Sequence, residues 1–305
     1  MPARAEPYSL VFSGETARLA PLVPPGAVKI QLLTGSSGDF LAARERERID
    51  AMLARRPGIY VPKRSSANLE APHADIKASD HCLLIGNAQT LSTYPERLRP
   101  RITPIRVSAS PTSYARSPGD VVPREREFVW YFGHGAALKG LDLLLEIFAR
   151  QETWTLNVIG LILDEPDFLR LYGKELFRHP RIRFHGHLRG NAPELEAVMR
   201  RSIAFIAPSA SEGMSNACAT CLSVGLYPIL SRQTGIDLPD GLGIYLQDCS
   251  LPEIEAAIGR VHAMDDAALA ADMIRIQAYA REAFGRPAYA RAMRRLLAEF
   301  SASAR

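Results

Sequence analysis

From residue 126 onward, short apolar runs alternate with longer stretches in which apolar positions recur with the period of an α-helix. This alternation predicts βαβ units and a parallel sheet. The predicted strands are Phe128–Phe132, Leu156–Ile159, Ile182–His185, Ser202–Ala207, Pro228–Ser231 and Ile244–Leu246. The predicted helices are Leu141–Arg150, Glu165–Phe177, Glu194–Arg200, a segment ending at Val224, Asp265–Ala283 and Pro287–Phe300. So many alternating elements predict a complete doubly wound α/β domain.

The first half of the chain shows the same alternation less clearly. Its predicted strands are Leu10–Phe12, Val28–Leu33, Cys82–Ile85 and Ile105–Val107, with one helix over Phe40–Ala54. Residues 108–125 are rich in Ser, Pro and Gly and have little periodicity, which is typical of a domain boundary. The predicted organisation is therefore a short domain over 1–115, a linker over 116–125, a second domain over 126–284 and a C-terminal helix over 285–305.

Composition excludes several classes of protein. The chain has 305 residues, of which 47% are hydrophobic and 23% charged, so it is neither disordered nor a small secreted scaffold. The sequence contains no apolar run of the roughly 18–20 residues that a membrane span needs, and its start does not resemble a signal peptide. Its four cysteines complete no zinc set and favour a reducing cytoplasm.

The net charge of +4 is unevenly distributed. Residues 1–124 contain 17 Lys and Arg against 11 Asp and Glu, whereas residues 125–305 contain 20 against 22. A basic first half suits an anionic ligand or surface. Nucleic acid is not the expected partner, because the basic stretch Arg44–Arg48 alternates with glutamates, which favours a solvated helix face.

Two glycine-containing stretches could carry chemistry, one over residues 133–140 and one around Ser215. Gly133-His-Gly135 leads to Lys139-Gly140 after a predicted strand, so backbone N–H groups and a lysine face one point, a candidate anion site. This turn fits neither the Walker loop nor the dinucleotide fingerprint, and an ordinary turn with a solvated lysine is the alternative. Ser215 lies too far beyond its strand to be the nucleophile of a hydrolase.

The remaining candidates have plainer explanations. Cys218 and Cys221 lie one helical turn apart, and a buried helix face explains them better than redox chemistry does. His185 and His187 are interpreted as wall residues at a strand end. No Asp-x-Asp triplet of a metal-dependent transferase is present, so neither a metal nor a cofactor is expected.

The order and spacing of these motifs resemble the C-terminal, nucleotide-sugar-binding domain of GT-B glycosyltransferases of the "glycosyl transferases group 1" type, glycosyltransferase family four. The resemblance runs from about Phe128 to Phe300. It depends on four stretches: Gly133 to Lys139-Gly140, the strand ending at Gly160, Ile182-Arg-Phe-His-Gly186, and Ala207-Pro-Ser209-x-x-Glu212-Gly213 running to Gly225-x-x-Pro228.

The resemblance implies a retaining, metal-independent transferase with a nucleotide-diphosphate sugar as donor. Lys139 matches the family's phosphate-binding lysine, and Glu212 matches the first carboxylate of a Glu-x7-Glu pair and is the expected catalytic residue. His134 stands in place of the usual arginine, and Thr220 in place of the second glutamate. The donor-binding residues implied are Gly133, His134, Lys139, Gly213, Met214, Ser215, Asn216 and Thr220.

The first half matches the family less closely, on Leu33-Thr-Gly35-Ser-Ser37 and on Ser79-Asp80 leading to Asn87. It is shorter than a usual acceptor domain and shows no identifiable glycine-rich loop after the first strand. For such a transferase, the basic first half is expected to face either the donor phosphates or an unidentified acceptor that is anionic or lipid-linked, with peripheral contact at the inner face of a membrane. The resemblance also implies that the helix Tyr289–Phe300 packs partly on the first domain.

Two other functions remain open. The first is a non-catalytic GT-B-like protein that serves as partner or regulator of an active glycosyltransferase, which the short first domain, His134 and Thr220 favour. The second is an epimerase that acts on a nucleotide sugar with the same fold.

Overall fold

Two parallel β-sheets organise the chain, one in each half. The computed structural model describes residues 10–63, 73–112, 114–117 and 119–303. The strands of the first sheet are β1 (Leu10–Ser13), β2 (Val28–Leu33), β3 (His81–Ile85) and β4 (Ile102–Ile105), in spatial order β1-β2-β3-β4. The strands of the second are β5 (Glu127–Tyr131), β6 (Leu156–Ile159), β7 (Ile182–Phe184), β8 (Ser202–Ala207), β9 (Tyr227–Ser231) and β10 (Ile244–Leu246). Their order, β7-β6-β5-β8-β9-β10, is that of a doubly wound sheet, and the predicted α/β class is confirmed.

Helices connect and cover the strands. Those of the first half are α1 (Thr16–Leu19), α2 (Gly38–Arg55), α3 (His73–Ala78) and α4 (Ala88–Ser92). Those of the second half are α5 (Leu141–Phe148), α6 (Pro166–Arg178), α7 (Pro193–Arg201), α8 (Asn216–Ser223), α9 (Leu251–His262), α10 (Asp266–Phe284) and α11 (Arg286–Ser303). Over the described ranges, none of these helices is both long and apolar enough to cross a lipid bilayer.

Several elements differ from the sequence-based predictions, which lacked the short helices α1, α3 and α4. Strand β4 is Ile102–Ile105 rather than Ile105–Val107, because the backbone N–H of Val107 donates to the Met214 sulfur instead of extending the ladder with β3. Helix α9 was not predicted at all. Its start nevertheless has a sequence signal, since Ser250 caps the N–H of Glu253 and Pro252 lies in the first turn.

The last helix covers the first sheet rather than the second. Leu296 and Phe300 of α11 are buried against Val28, Ile30 and Leu83 of the first sheet. The Phe300 ring also stacks on His81 of β3, with ring centroids 3.9 Å apart. The chain therefore returns to its first domain, where the sequence analysis placed this helix.

Helix α2 of the first domain docks on the second domain through arginines. Arg55 contacts Asp142 of α5, with Nη2 2.5 Å from Oδ2, and also donates to Glu146. The Asp142 side chain is fully buried, and this burial raises its pKa to about 6 although the nearby Arg48 and Arg55 oppose the rise. Arg48 also donates to the Pro208 carbonyl, at 2.7 Å.

This docking corrects the prediction of a solvated helix face over Arg44–Arg48. Arg44 does form an exposed ion pair with Glu47, as such a face requires. Arg48 instead points to the second domain, as does Arg56, which binds Glu175 and lies 4.3 Å from the centre of the Tyr172 ring. Much of the positive charge of α2 is thus used inside the molecule rather than presented to an anionic surface.

Replacing Arg55 by alanine should lower the free energy of unfolding by about 3 kcal/mol, because it leaves the buried Asp142 carboxylate without its guanidinium. Arg44→Ala on the same helix removes an exposed pair and should cost about 0.5 kcal/mol or less. Urea unfolding of both variants measures the difference. Equal losses would show that the Arg55 contacts do not stabilise the docked domains.

Candidate functional site

A cleft of about 510 Å³ opens between the two sheets, at the carboxyl ends of their strands. Ligands of open α/β sheets bind at this edge. Loops after β1 and β2 form one wall, and loops after β5 and β8 form the other. The residues that line the cleft are Phe12, Ser13, Gly14, Glu15, Leu32, Thr34, Gly35, Ser36, Gly38, Leu41, Tyr94, His134, Gly135, Leu138, Lys139, Ser211, Glu212 and Gly213.

Lys139 and Glu212 meet in this wall, as the sequence predicts for the loops after β5 and β8. The Lys139 ammonium lies 2.5 Å from Glu212 Oε1 and donates to the Ser211 carbonyl at 3.0 Å. An ammonium has three N–H donors, so one remains for a ligand. The pair therefore presents a cation and a carboxylate side by side, which suits a ligand that carries both phosphate and hydroxyl groups.

The glycine turn between β5 and Lys139 is held by a carboxylate that the sequence analysis did not identify. Glu165 Oε1 accepts the backbone N–H groups of Gly135 and Ala136, at 2.7 and 3.1 Å. Its Oε2 accepts from the hydroxyl of Tyr60, a residue of the first domain, at 3.2 Å. Burial raises the pKa of Glu165, and these three hydrogen bonds oppose the rise. The sequence signal was Pro166, which starts α6 and places Glu165 at the helix entrance.

His134 lies at the edge of the cleft on the same turn. Its Nε2 is 3.0 Å from Asp164 Oδ2, and about a third of its side chain is exposed. The ring is thus accessible to a ligand and oriented by a carboxylate. Because the carboxylate contacts Nε2, the other ring nitrogen is available to a second partner.

The loop that carries Glu212 is held by the first domain. Ser36 Oγ lies 2.6 Å from Ser211 Oγ and donates to the Glu212 carbonyl, while Thr90 Oγ1 donates to the Gly213 carbonyl at 2.9 Å. Sequence reasoning missed Ser36 and Thr90 because their partners lie far away in the sequence. It also missed Gly14, which follows β1 and lines the cleft.

The other predicted donor-binding residues are placed away from the cleft lining. Thr220 is fully buried, and its hydroxyl accepts from Ser110 N–H and donates to the Asn216 carbonyl. Ser215 caps α8, and the Met214 sulfur is used in the contact with Val107. These side chains therefore make contacts within the protein rather than line the cleft, and their role in donor binding stays a prediction.

Two further predicted residues make backbone or linker contacts. The Gly133 carbonyl accepts from Leu161 N–H at 3.3 Å, behind the turn. The Asn216 side chain donates to the Ser108 carbonyl and accepts from Ser110, which ties α8 to the chain between the domains. Both residues support the site without lining it.

The cysteines and one histidine behave as the sequence predicts. Cys218 and Cys221 are buried on one face of α8, and burial raises the pKa of Cys218 to about 12, which keeps the thiol protonated. His185 is a wall residue with Nε2 2.8 Å from Asn157 Oδ1. Within the described ranges, no three His, Cys, Asp or Glu side chains are arranged to hold a metal ion.

Gly213 should not tolerate a side chain. A Cβ there would lie 2.4 Å from the Thr34 carbonyl oxygen and 2.6 Å from that of Ile85, both in the first domain. Gly213→Ala should therefore lower the free energy of unfolding by about 2 kcal/mol or more. Gly35→Ala, on the facing loop with no atom within 4 Å, should cost about 0.5 kcal/mol or less in the same thermal unfolding experiment. A tolerated Gly213→Ala would mean that the two loops do not touch in solution.

Comparison with known proteins agrees with this architecture. The family model "Glycosyl transferases group 1" matches residues 126–275, the domain that carries Lys139 and Glu212. No curated protein matches the sequence.

Solved glycosyltransferase structures share the fold over nearly the whole chain. HepE of Anabaena, in complex with UDP and glucose, is similar with a TM-score of 0.67 and 12% identity, covering 96% of this chain and 78% of that one. Sucrose-phosphate synthase of Thermosynechococcus elongatus is similar with a TM-score of 0.70 and 16% identity, covering 97% and 74%. Residues 126–275 therefore match the glycosyl transferases group 1 family model, and both halves of the chain share the GT-B fold of these glycosyltransferase structures.

Proposed function

We propose that this protein transfers a sugar from a nucleotide-diphosphate donor to an acceptor bound in the cleft between its two domains. The observation that carries the proposal is the meeting of Lys139 and Glu212 in the cleft wall. The family match and the fold of structures that hold UDP or UDP-glucose support it.

The roles follow from the chemistry of the side chains. Lys139, with its remaining N–H, binds the donor diphosphate and stabilises the charge that develops on it as the glycosidic bond breaks. His134 adds a second donor at the edge of the cleft. Glu212 accepts hydrogen bonds from donor sugar hydroxyls and orients the ring.

Retention of configuration and independence from a metal are further parts of the proposal. They are supported by the resemblance to family four and by Lys139, which offers the phosphates a positive charge from the protein itself. The acceptor enters against the wall of the first domain, where Phe12 is 44% exposed and Gly14 leaves room. An anionic or lipid-linked acceptor, a cytoplasmic location and peripheral membrane contact remain proposals as well.

A non-catalytic partner or regulator of an active glycosyltransferase is the second candidate. The observation that favours it is Thr220, which is buried where the family has a second carboxylate that reaches the donor. Turnover of any nucleotide sugar by the isolated protein would exclude it. Stable association with a full-length transferase together with no turnover would favour it.

Lys139→Ala should weaken binding of UDP or another nucleoside diphosphate by roughly ten- to a hundredfold, because it removes a charge-assisted contact to phosphate. Lys174→Ala, which removes an exposed lysine of α6, is the matched control and should bind like wild type. Glu212→Gln should keep nucleotide binding and reduce transfer. Calorimetry with UDP, GDP, ADP and dTDP, followed by donor-consumption assays, tests all three variants; if wild type binds none of these nucleotides, the proposal fails.

His134 should contribute a hydrogen-bond donor to nucleotide binding at the edge of the cleft. His134→Ala should weaken binding of UDP or another nucleoside diphosphate by roughly two- to tenfold, because it removes one contact to phosphate. Nucleotide titrations of both proteins at one pH measure the difference. An affinity equal to that of wild type would show that His134 is a wall residue and not a phosphate ligand.

A further inference from the structure

Doubly wound domains commonly bind phosphate with backbone amides of the turn after a central strand. In the glycine turn after β5, two of these amides already donate to a side chain of the protein. The Gly135 and Ala136 N–H groups both point to the Glu165 carboxylate, at 2.7 and 3.1 Å. Glu165 is 2% exposed and belongs to the chain just after the next strand, β6. Its contacts are thus built into the fold and do not depend on a ligand.

The groups of this turn that remain available to a ligand in the cleft are side chains. With the two amides engaged, the turn presents the His134 ring and the Lys139 ammonium to the cleft. The turn keeps this shape because one carboxylate binds two successive N–H groups, which fixes the backbone immediately before Lys139.

The same carboxylate also contacts the first domain. Tyr60 donates its hydroxyl to Glu165 Oε2 at 3.2 Å and packs edge-on against Phe168 of α6. Burial raises the pKa of Tyr60 well above its ordinary value, so the hydroxyl remains a donor at neutral pH. Beside it, Val61 N–H donates to Asp167, so this segment of the first domain is anchored at the start of α6. Docking of the first domain and the shape of the turn are therefore linked through Glu165.

We propose that Glu165 is a positioning residue, an internal anion that holds the 133–136 turn so that His134 and Lys139 face the donor phosphates, and that Tyr60 couples this arrangement to domain docking. This inference rests on the proposed function for its donor. It assigns recognition of the phosphates to side chains, because the amides of the turn already have an anionic partner.

The experiment uses the full chain with Glu165→Ala, Glu165→Gln and Tyr60→Phe. Glu146→Ala is the matched control, since Glu146 is also a buried carboxylate between the domains but bonds Arg55 and Tyr172 rather than the turn. UDP affinity is measured by calorimetry well below each unfolding temperature, and Tm is measured with sodium formate against sodium chloride at equal ionic strength. Formate is a carboxylate small enough for the space that Glu165→Ala opens.

Glu165→Ala should bind UDP roughly tenfold more weakly than wild type, since the turn loses its charged partner. Formate should restore much of that affinity and raise the Tm of this variant, with no effect on wild type. Glu165→Gln, which retains one acceptor oxygen, and Tyr60→Phe should show intermediate losses. Glu146→Ala should lose stability while its folded form keeps the wild-type UDP affinity.

Unchanged or tighter UDP binding by Glu165→Ala without formate would overturn the inference, as would an equal loss in Glu146→Ala. The two proposals fail in distinguishable ways. If wild type binds none of UDP, GDP, ADP and dTDP, the proposed donor class is wrong, and the formate-dependent rise in Tm alone decides whether an anion occupies the turn. If wild type binds UDP and formate has no effect on Glu165→Ala, the inference fails while the proposed function stands.

Discussion

The cleft depends on one close backbone contact between the domains. The 211–213 loop of the second domain lies against the carboxyl ends of β2 and β3, and at Gly213 the backbones approach so closely that a methyl group would overlap two carbonyl oxygens. Hydroxyls of Ser36 and Thr90 bond to the same loop. Because Glu212 lies within this loop, its position depends on contacts from both domains.

Ion pairs between α2 and α5 stabilise the same arrangement of the two domains. Arg55 compensates two buried carboxylates on α5, the helix that begins two residues after Lys139. Removing either side of such a pair leaves an uncompensated buried charge, so the docked state is favoured over a partly opened one. Three arginines of the basic first half, Arg48, Arg55 and Arg56, thus hold the domains together on this side.

Local sequence patterns predicted the second domain well and the site in part. Strands such as Leu156–Ile159 and Ser202–Ala207 are buried at every position, so short, mainly apolar runs bounded by turn residues located them to the residue. Lys139 and Glu212 followed from motif order. Glu165, Tyr60 and Ser36 did not, because their roles arise from partners that only the folded chain brings within reach. The burial of Thr220 was not predicted for a related reason, since helix position alone does not show that Ser110 of the linker covers it.

The return of α11 to the first sheet has a consequence for synthesis. His81 and Phe300 stack although they are roughly 200 residues apart in sequence, and such distant contacts are slow to form. While the ribosome makes the second domain, the apolar face around Val28, Ile30 and Leu83 has no covering helix. The first sheet therefore gains its covering helix only after all the strands of the second sheet have been synthesised.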